Sequence, residues 1–267
     1  EELERKDIRV GDHVTVAKGG DVIPKVLRSL PERRSGGETA LPRPEACPVC
    51  GTRTVQREGE VAVRCPNRAC PAVAAGRLRH FAGRDACDIA GLGERWIELF
   101  LETGLVEGPA GLFRLEAGRL AALPGWGEKS AENLLAAVER AKERPWANKI
   151  FALGIPEVGI ATATTLARRF GNLARLREAT VEELSELADI GPIVAAAVVA
   201  FFRDPESARA VAELDEVGFW REEEQAPPDT AAPGGSALAG RVYVLTGALP
   251  GMTRAEAKRE LEARGAK

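Results

Sequence analysis

The sequence predicts a multidomain chain of four modules: a short β segment, a small cysteine-rich module, a long all-α array and a final α/β segment. Three observations predict this fold class. Four of the five cysteines stand in two close pairs. Glycine turns recur at a near-constant spacing through the middle of the chain, and strand-like apolar runs stand near its two ends. A length of 267 residues is enough for several small domains.

The first module is a β segment over residues 1–31. Short runs rich in β-branched residues occur at Val10, at 13–16 and at Val22 and Ile23, and glycine-containing turns separate them. The stretch that follows, 31–44, is rich in Gly, Pro and charge, so we expect a loop or linker there.

The second module holds the cysteine pairs. Cys47 and Cys50 are spaced C-x2-C, and Cys65 and Cys70 are spaced C-x4-C. Two short chelating loops of this kind can place four sulfurs tetrahedrally around one Zn²⁺, which predicts a closed, structural site. The alternative is a redox dithiol at Cys47 and Cys50, but it leaves the second pair without a role. We expect Cys87, which stands apart, to be a small buried apolar residue.

The third module is helical and repetitive. Its hairpin segments are IAGLGERW (89–96), LPGWGEKSA (123–131), IPEVGIATA (155–163) and ADIGPIVAA (188–196). Their second glycines are Gly93, Gly127, Gly159 and Gly191, spaced 34, 32 and 32 residues apart. An apolar residue before each of these glycines and a helix after it are typical of the helix-hairpin-helix motif. The alternative is a plain helical bundle with glycine turns.

Helix-hairpin-helix turns suit phosphate binding because the first amides of the second helix point outward with the positive end of the helix dipole behind them. Segment 123–131 fits the motif best, and Lys129 adds a cation beside the turn. The candidate DNA-contacting residues are Gly91, Gly93, Gly125, Gly127, Lys129, Ser130, Gly159 and Gly191. Glu157 and Asp189 replace the first glycine in the third and fourth units, so we expect those two units to contribute less to binding.

Charge is distributed unevenly along the chain. The net charge is −3, yet residues 1–84 carry 16 Lys/Arg against 11 Asp/Glu, whereas residues 204–229 carry 2 against 9. A basic face can therefore bind nucleic acid despite the acidic total. We expect an acidic, Pro/Gly-rich linker over 204–235. The sequence contains neither a signal peptide nor an apolar run of membrane-spanning length, so we expect a cytoplasmic protein.

The order of these modules resembles that of bacterial NAD-dependent DNA ligases. The matching segments are VAKGGDVIPKV (16–26), the four cysteines, RHFAGRDACDIAGLGERWIELFLETGLV (79–106), the later hairpins and LAGRVYVLTGALPGMTRAEAKRELEARGAK (238–267). The resemblance implies the C-terminal part of an OB-fold for 1–31, a four-cysteine zinc finger for 44–76, a helix-hairpin-helix domain with four hairpins for 77–203 and the start of an α/β BRCT domain for 236–267.

The resemblance also implies a function. Full-length members of this family use NAD and Mg²⁺ to seal nicks between a 5′-phosphate and a 3′-hydroxyl in duplex DNA, during replication and repair. Lys18, Val22 and Ile23 resemble the OB-fold residues that face the minor groove. The adenylated lysine of the family lies in a K-x-D-G motif, which this sequence lacks, since Lys18 to Asp21 reads KGGD. We expect the catalytic lysine upstream, no catalytic residue in this chain and no activity from the chain alone.

Two other classes of protein share part of the pattern. A non-enzymatic helix-hairpin-helix protein that binds DNA junctions explains the repeats but not the cysteines, and a BRCT-bearing clamp-loader or polymerase accessory subunit explains only the end of the chain. A K-x-D-G motif upstream would discriminate among the three. We expect a nucleoid-associated monomer whose partner is nicked double-stranded DNA, held through its backbone and minor groove.

Overall fold

The computed structural model describes residues 2–20, 22–56 and 61–220, together with a few single positions after residue 220. The chain divides into two compact units, 1–76 and 77–267. Apart from those single positions, the predicted α/β segment 236–267 and the linker after residue 220 lie outside the described residues.

The described part of the first unit is built from antiparallel strand pairs. The strands are β1 (Arg9–Val10), β2 (Val14–Gly19), β3 (Ile23–Ser29), β4 (Thr39–Ala40), β5 (Val55–Gln56) and β6 (Val63–Arg64), and the first helix is α1 (Glu2–Arg5). β2 pairs with β3, β1 with β4, and β5 with β6. In the β2–β3 hairpin Lys18 lies opposite Pro24 and Gly19 opposite Ile23, and Gly20, with a φ of +66°, makes the tight turn.

The β segment extends past residue 31, where the sequence predicted a linker. A 3₁₀ turn over Pro31–Arg33 leads into the loop before β4, and Ala40 then pairs with Arg9 of β1. One guanidinium holds this loop. Arg34 donates to both carboxylate oxygens of Asp12, at 2.6 and 2.8 Å, and to Asp7 at 2.7 Å. The contact lowers the pKa of Asp12 to about 2.

The second unit is all-α in its described part. Its helices are α2 (Pro71–Ala82, which begins before the unit boundary), α3 (Glu94–Glu102), α4 (Pro109–Leu112), α5 (Ala117–Ala121), α6 (Glu128–Arg140), α7 (Trp146–Ala152), α8 (Ile160–Phe170), α9 (Leu173–Glu178), α10 (Val181–Ser185), α11 (Pro192–Arg203) and α12 (Pro205–Glu216). Four helix pairs enclose the four predicted glycine turns. We call them hairpin 1 (α2 and α3), hairpin 2 (α5 and α6), hairpin 3 (α7 and α8) and hairpin 4 (α10 and α11).

Apolar side chains from helices α7 to α12 form one continuous core, in which Ala163, Leu166, Leu184 and Val198 are fully buried. The apolar residues of each helix recur at intervals of three and four, which directs them all to one face. Hairpins 3 and 4 are therefore packed against each other, as neighbouring units of a repeat array are.

The helical part continues beyond residue 203, where the sequence predicted the acidic linker to begin. The side chain of Asp204 accepts a hydrogen bond from the amide of Ser207 at 2.9 Å and so caps α12. Ser207, Val211 and Leu214 are buried at intervals of four and three residues. A count of charged residues alone does not reveal this apolar face, because acidic residues stand next to buried residues along α12.

No helix in the described ranges is both long and apolar enough to cross a membrane.

Candidate metal centre and nucleic-acid interface

The four predicted cysteine ligands come together in the first unit. The Sγ atoms of Cys47 and Cys70 are 3.8 Å apart, those of Cys50 and Cys65 are 3.5 Å apart, and all four lie within 4.8 Å of one another. Four sulfurs placed tetrahedrally about 2.3 Å from Zn²⁺ are about 3.8 Å from each other. The four thiols thus fit one zinc ion, and the set is complete without water or substrate. This is a structural site.

Short backbone loops position the thiols. The amide of Gly51 donates to the carbonyl of Cys47 at 2.9 Å, and the amide of Cys47 donates to the carbonyl of Thr52 at 2.8 Å. Gly51 adopts a φ of +71°, which a side chain would disfavour, so glycine is needed at this turn. On the second loop the amide of Cys70 donates to the carbonyl of Asn67 at 3.1 Å.

Three of the thiols, those of Cys47, Cys50 and Cys65, lie in environments that shift their pKa values in different directions. The Thr52 hydroxyl lowers the pKa of Cys50 to about 6, and the backbone amides of Cys50 and Val49 lower the pKa of Cys47. Burial raises the pKa of Cys65 to about 12. Zinc binds thiolates, so the ion must displace a proton from Cys65.

Cys87 is not part of the metal centre. Its side chain is fully buried in the second unit, and burial raises its pKa above the ordinary range for a thiol. The prediction that it packs as a small apolar residue is confirmed.

The four hairpin turns share one backbone conformation. The first position of each turn has a positive φ: +88° at Gly91, +85° at Gly125, +64° at Glu157 and +69° at Asp189. The two acidic residues thus replace glycine in hairpins 3 and 4 without changing the course of the chain. They place a carboxylate where the first two hairpins have only a hydrogen.

The second glycine of each turn is the N-cap of the following helix. Gly93, Gly127, Gly159 and Gly191 have φ values of −81°, −140°, −83° and −79°, which any L-residue adopts. A Cβ atom added at any of the four meets nothing within 4 Å. The fold therefore does not require glycine there, although Ser, Asp or Asn would cap the helix better.

Lys129 and Ser130 lie in the first turn of α6, where both are exposed. Lys129 is the second residue after the N-cap of hairpin 2. The equivalent position holds Arg95 in hairpin 1, Ala161 in hairpin 3 and Ile193 in hairpin 4. Arg95 was not among the predicted contact residues, although an alignment of the four repeats on their second glycines would have found it. Hairpins 1 and 2 thus carry a cation beside the turn, and hairpins 3 and 4 carry an apolar residue.

Aromatic side chains join the turns of hairpins 1 and 2. The rings of Trp96, on α3, and Trp126, in the turn of hairpin 2, lie edge to face with centroids 5.0 Å apart. A Cβ atom at Gly125 would lie 3.6 Å from the Trp96 ring. The guanidinium of Arg95 lies 5.2 Å from the centroid of the Trp96 ring. The two cationic turns are therefore neighbours.

The loop of hairpin 1 is also held from hairpin 3. Arg144 donates to the carbonyls of Ala86 and Arg84 at 3.0 and 2.9 Å, and Asn148 donates to the carbonyl of Asp85 at 2.7 Å. Three successive carbonyls of the loop thus accept hydrogen bonds from α7 and from the residue two positions before it, which restrains hairpin 1.

The predicted minor-groove residues lie at the end of the β2–β3 hairpin in the first unit. Val22 and Ile23 are 82% and 73% exposed, which is unusual for apolar side chains at adjacent positions. Lys18 lies one residue pair further along the hairpin, opposite Pro24.

Family models match most of the described chain. Residues 1–38 match the model of the NAD-dependent DNA ligase OB-fold domain, and residues 46–72 match that of the NAD-dependent DNA ligase C4 zinc finger domain. Residues 84–140 match a SAM-like helix-hairpin-helix tandem, and residues 149–211 match a helix-hairpin-helix motif. The last match extends into α12.

Curated relatives match nearly the whole chain. The chain is 46% identical over 266 residues to a DNA ligase of Trichlorobacter lovleyi, 42% identical over 266 residues to one of Thermomicrobium roseum and 43% identical over 268 residues to one of Marinobacter nauticus. These matches cover 99 to 100% of this chain. The chain spans only 38 to 39% of the length of these relatives.

Proposed function

Because the chain belongs to the NAD-dependent DNA ligase family, we propose that it is the C-terminal, DNA-holding portion of an enzyme that seals nicks in duplex DNA. The zinc site holds the small β module together, and the hairpins bind the sugar–phosphate backbone. NAD and Mg²⁺ serve the complete enzyme. The adenylation step belongs to a part of the polypeptide outside these 267 residues, since no K-x-D-G motif occurs among them.

One observation carries this proposal: glycine stands at the N-cap of all four hairpin helices although the fold does not need it there. The first amides of these helices have no intrahelical partner. Without a Cβ atom, a phosphate oxygen can approach those amides closely, and the helix dipole favours its charge. Such contacts involve no base, so binding should be independent of DNA sequence.

The exposed residues of the β2–β3 hairpin support a second contact with the DNA duplex. Val22 and Ile23 present apolar surface to solvent, and Lys18 is in the same hairpin. Apolar side chains placed in a minor groove can widen it, and a lysine nearby can pair with a phosphate. We propose that this hairpin faces the minor groove around the nick. The protein acts as a monomer at the nucleoid.

The experiment is the substitution Gly127→Ser. A serine hydroxyl at an N-cap accepts a hydrogen bond from an amide of the first turn, so the helix should become more stable by several tenths of a kcal/mol. The same hydroxyl occupies the place of the phosphate oxygen, so affinity for nicked duplex should fall about tenfold, equally across DNA sequences. Thermal melting and fluorescence anisotropy with two unrelated nicked duplexes measure the two effects.

Gly108→Ser is the matched control. Gly108 is the N-cap of α4, outside the four hairpins, and a Cβ atom there also meets nothing within 4 Å. Its substitution should leave DNA affinity unchanged. An unchanged affinity for Gly127→Ser, or a loss limited to one DNA sequence, would contradict backbone binding at the hairpin turn.

A further inference from the structure

An acid-free, arginine-rich stretch lies at the far end of α8 from its glycine turn. Residues 160–177 contain four arginines and no Lys, Asp or Glu. The arginines are Arg168, Arg169, Arg175 and Arg177. We call these four residues the arginine patch. Residues 85–203 as a whole have more acidic than basic residues, 17 against 13, so the patch is a local exception to the charge of the hairpin domain.

The local fold places two of these arginines in the last turn of α8 and two in α9, which follows directly. α8 ends at Phe170, its C-cap Gly171 has a left-handed φ of +69°, and α9 begins directly after Asn172. The side chain of Asn172 accepts a hydrogen bond from the amide of Arg175 at 3.0 Å, which fixes the start of α9. Leu176 is buried between Arg175 and Arg177, so both arginines are directed away from the core.

All four guanidinium groups are available to a partner. Each arginine of the patch is exposed, and within the described ranges none of them forms an ion pair. Other arginines of the same unit do: Arg79 pairs with Glu94, and Arg114 pairs with Glu216, both at 2.9 Å. The guanidinium of Arg169 lies 5.6 Å from the centroid of the Phe170 ring.

The patch is distinct from the hairpin turns. Arg168, the member of the patch nearest to Gly159 in the sequence, lies nine residues after it, which corresponds to about 14 Å along the axis of α8. The turn of hairpin 3 carries Glu157, whose carboxylate opposes a phosphate there. In hairpin 3 the positive charge therefore lies at the C-terminal end of α8 and not at its glycine turn.

We propose that the arginine patch is an additional contact for duplex DNA, made to backbone phosphates away from those at hairpins 1 and 2. The proposal rests on the proposed function. Guanidinium groups bind phosphate through paired N–H donors, and four of them within ten residues suit a polyanion with closely spaced charges. Two of the arginines also lie in the last turn of α8, where they complement the helix dipole, but that role does not need Arg175 and Arg177.

The test removes two charges from the patch in the whole 267-residue chain. In Arg175→Gln with Arg177→Gln, affinity for a nicked duplex should fall about tenfold at ~50 mM salt, and the slope of log K against log salt should become shallower by about 1.8, because each lost phosphate contact removes about 0.9. The lysine pair Arg175→Lys with Arg177→Lys should keep most of the slope. Melting temperature should change little in either variant.

The control pair is Arg114→Gln with Arg209→Gln, which removes the same charge from two exposed arginines that are paired with Glu216 and Glu213. Its affinity and slope should stay close to those of the wild type. An equal loss in the control pair would overturn the proposal, and so would an unchanged slope in the patch variant. If Gly127→Ser loses affinity while the patch variant does not, only this inference fails. If the wild type binds no nicked duplex, the proposed function fails with it.

Discussion

Single residues explain why four similar turns differ in charge. Glu157 and Asp189 adopt the left-handed backbone conformation at φ values of +64° and +69°. For an L-residue this conformation costs about 1–2 kcal/mol, whereas glycine adopts it freely. The acidic residues therefore cost stability and oppose a phosphate at the same place. Neither effect helps hairpins 3 and 4 to bind DNA through their turns.

Replacing Glu157 by glycine should improve both properties. Relief of the left-handed strain exceeds the entropy that glycine loses on folding, so Glu157→Gly should stabilise the protein by about 0.5–1 kcal/mol. Removing the carboxylate from a helix N-terminus should raise DNA affinity about two- to fivefold. Urea unfolding and anisotropy measure the changes. Glu182→Gln removes the same charge from α10 and should alter affinity little, whereas an unaltered affinity for Glu157→Gly would contradict the prediction.

At the scale of secondary-structure elements, the turn after α12 completes the core of the helical unit. Phe219 is fully buried, and its ring lies 5.4 Å from that of Phe81, 5.6 Å from that of Phe113 and 4.8 Å from that of Trp220. The ammonium of Lys149 lies 5.6 Å from the centroid of the same ring. Side chains from separate parts of the array thus meet at one residue beyond the last hairpin.

Truncating Phe219 should destabilise the whole unit. Phe219→Ala removes a fully buried ring and leaves a cavity, so the free energy of unfolding should fall by about 3–5 kcal/mol in urea titrations. Phe201→Ala, at a half-buried position on α11, should cost much less. Similar losses for the two variants would indicate that the segment after residue 203 is not part of the core.

The zinc loops are elements that depend on a metal rather than on buried apolar area. Strands β5 and β6 contribute two residues each, which is too little to form a core. The free energy of metal binding must therefore stabilise this region.

Purified protein should contain one zinc ion per chain by metal analysis. A strong chelator should abolish the hydrogen-exchange protection of the Cys47, Gly51 and Cys70 amides while the amides of α6 and α8 remain protected. Cys70→Ser should have the same effect without chelator. A metal-free protein with protected loop amides would exclude a structural zinc site.

At the scale of the whole molecule, the proposed binding of DNA depends on where charge lies and not on its sum. The net charge is −3, yet cations stand beside the turns of hairpins 1 and 2 and at the end of α8. Acidic side chains occupy the turns of hairpins 3 and 4, and Glu94 and Glu128 begin α3 and α6 beside the cations of hairpins 1 and 2. Because screening limits interactions between exposed charges to about 10 Å at 0.1 M salt, local groups decide the affinity for a phosphate.

The sequence by itself determined the features that depend on a few neighbouring residues. The spacing of the two cysteine pairs is enough to predict the zinc site, because chelation needs only short loops. The period of the second glycines is enough to predict four hairpins, because each turn is a local backbone conformation. The positive φ at Gly91 and Gly125 follows from the same motif.

Only the tertiary structure decided features that depend on distant parts of the chain. The pairing of Arg9 with Ala40 carries the β segment past its predicted end, and the burial of Phe219 carries the helical unit past residue 203. Two further features cannot be predicted from the sequence. One is the free space around Gly127, and the other is the absence of an ion pair at Arg175 within the described residues. The physical reason is that burial and ion pairing depend on which segments of the chain pack together. The order of apolar and charged residues along the sequence does not specify those contacts.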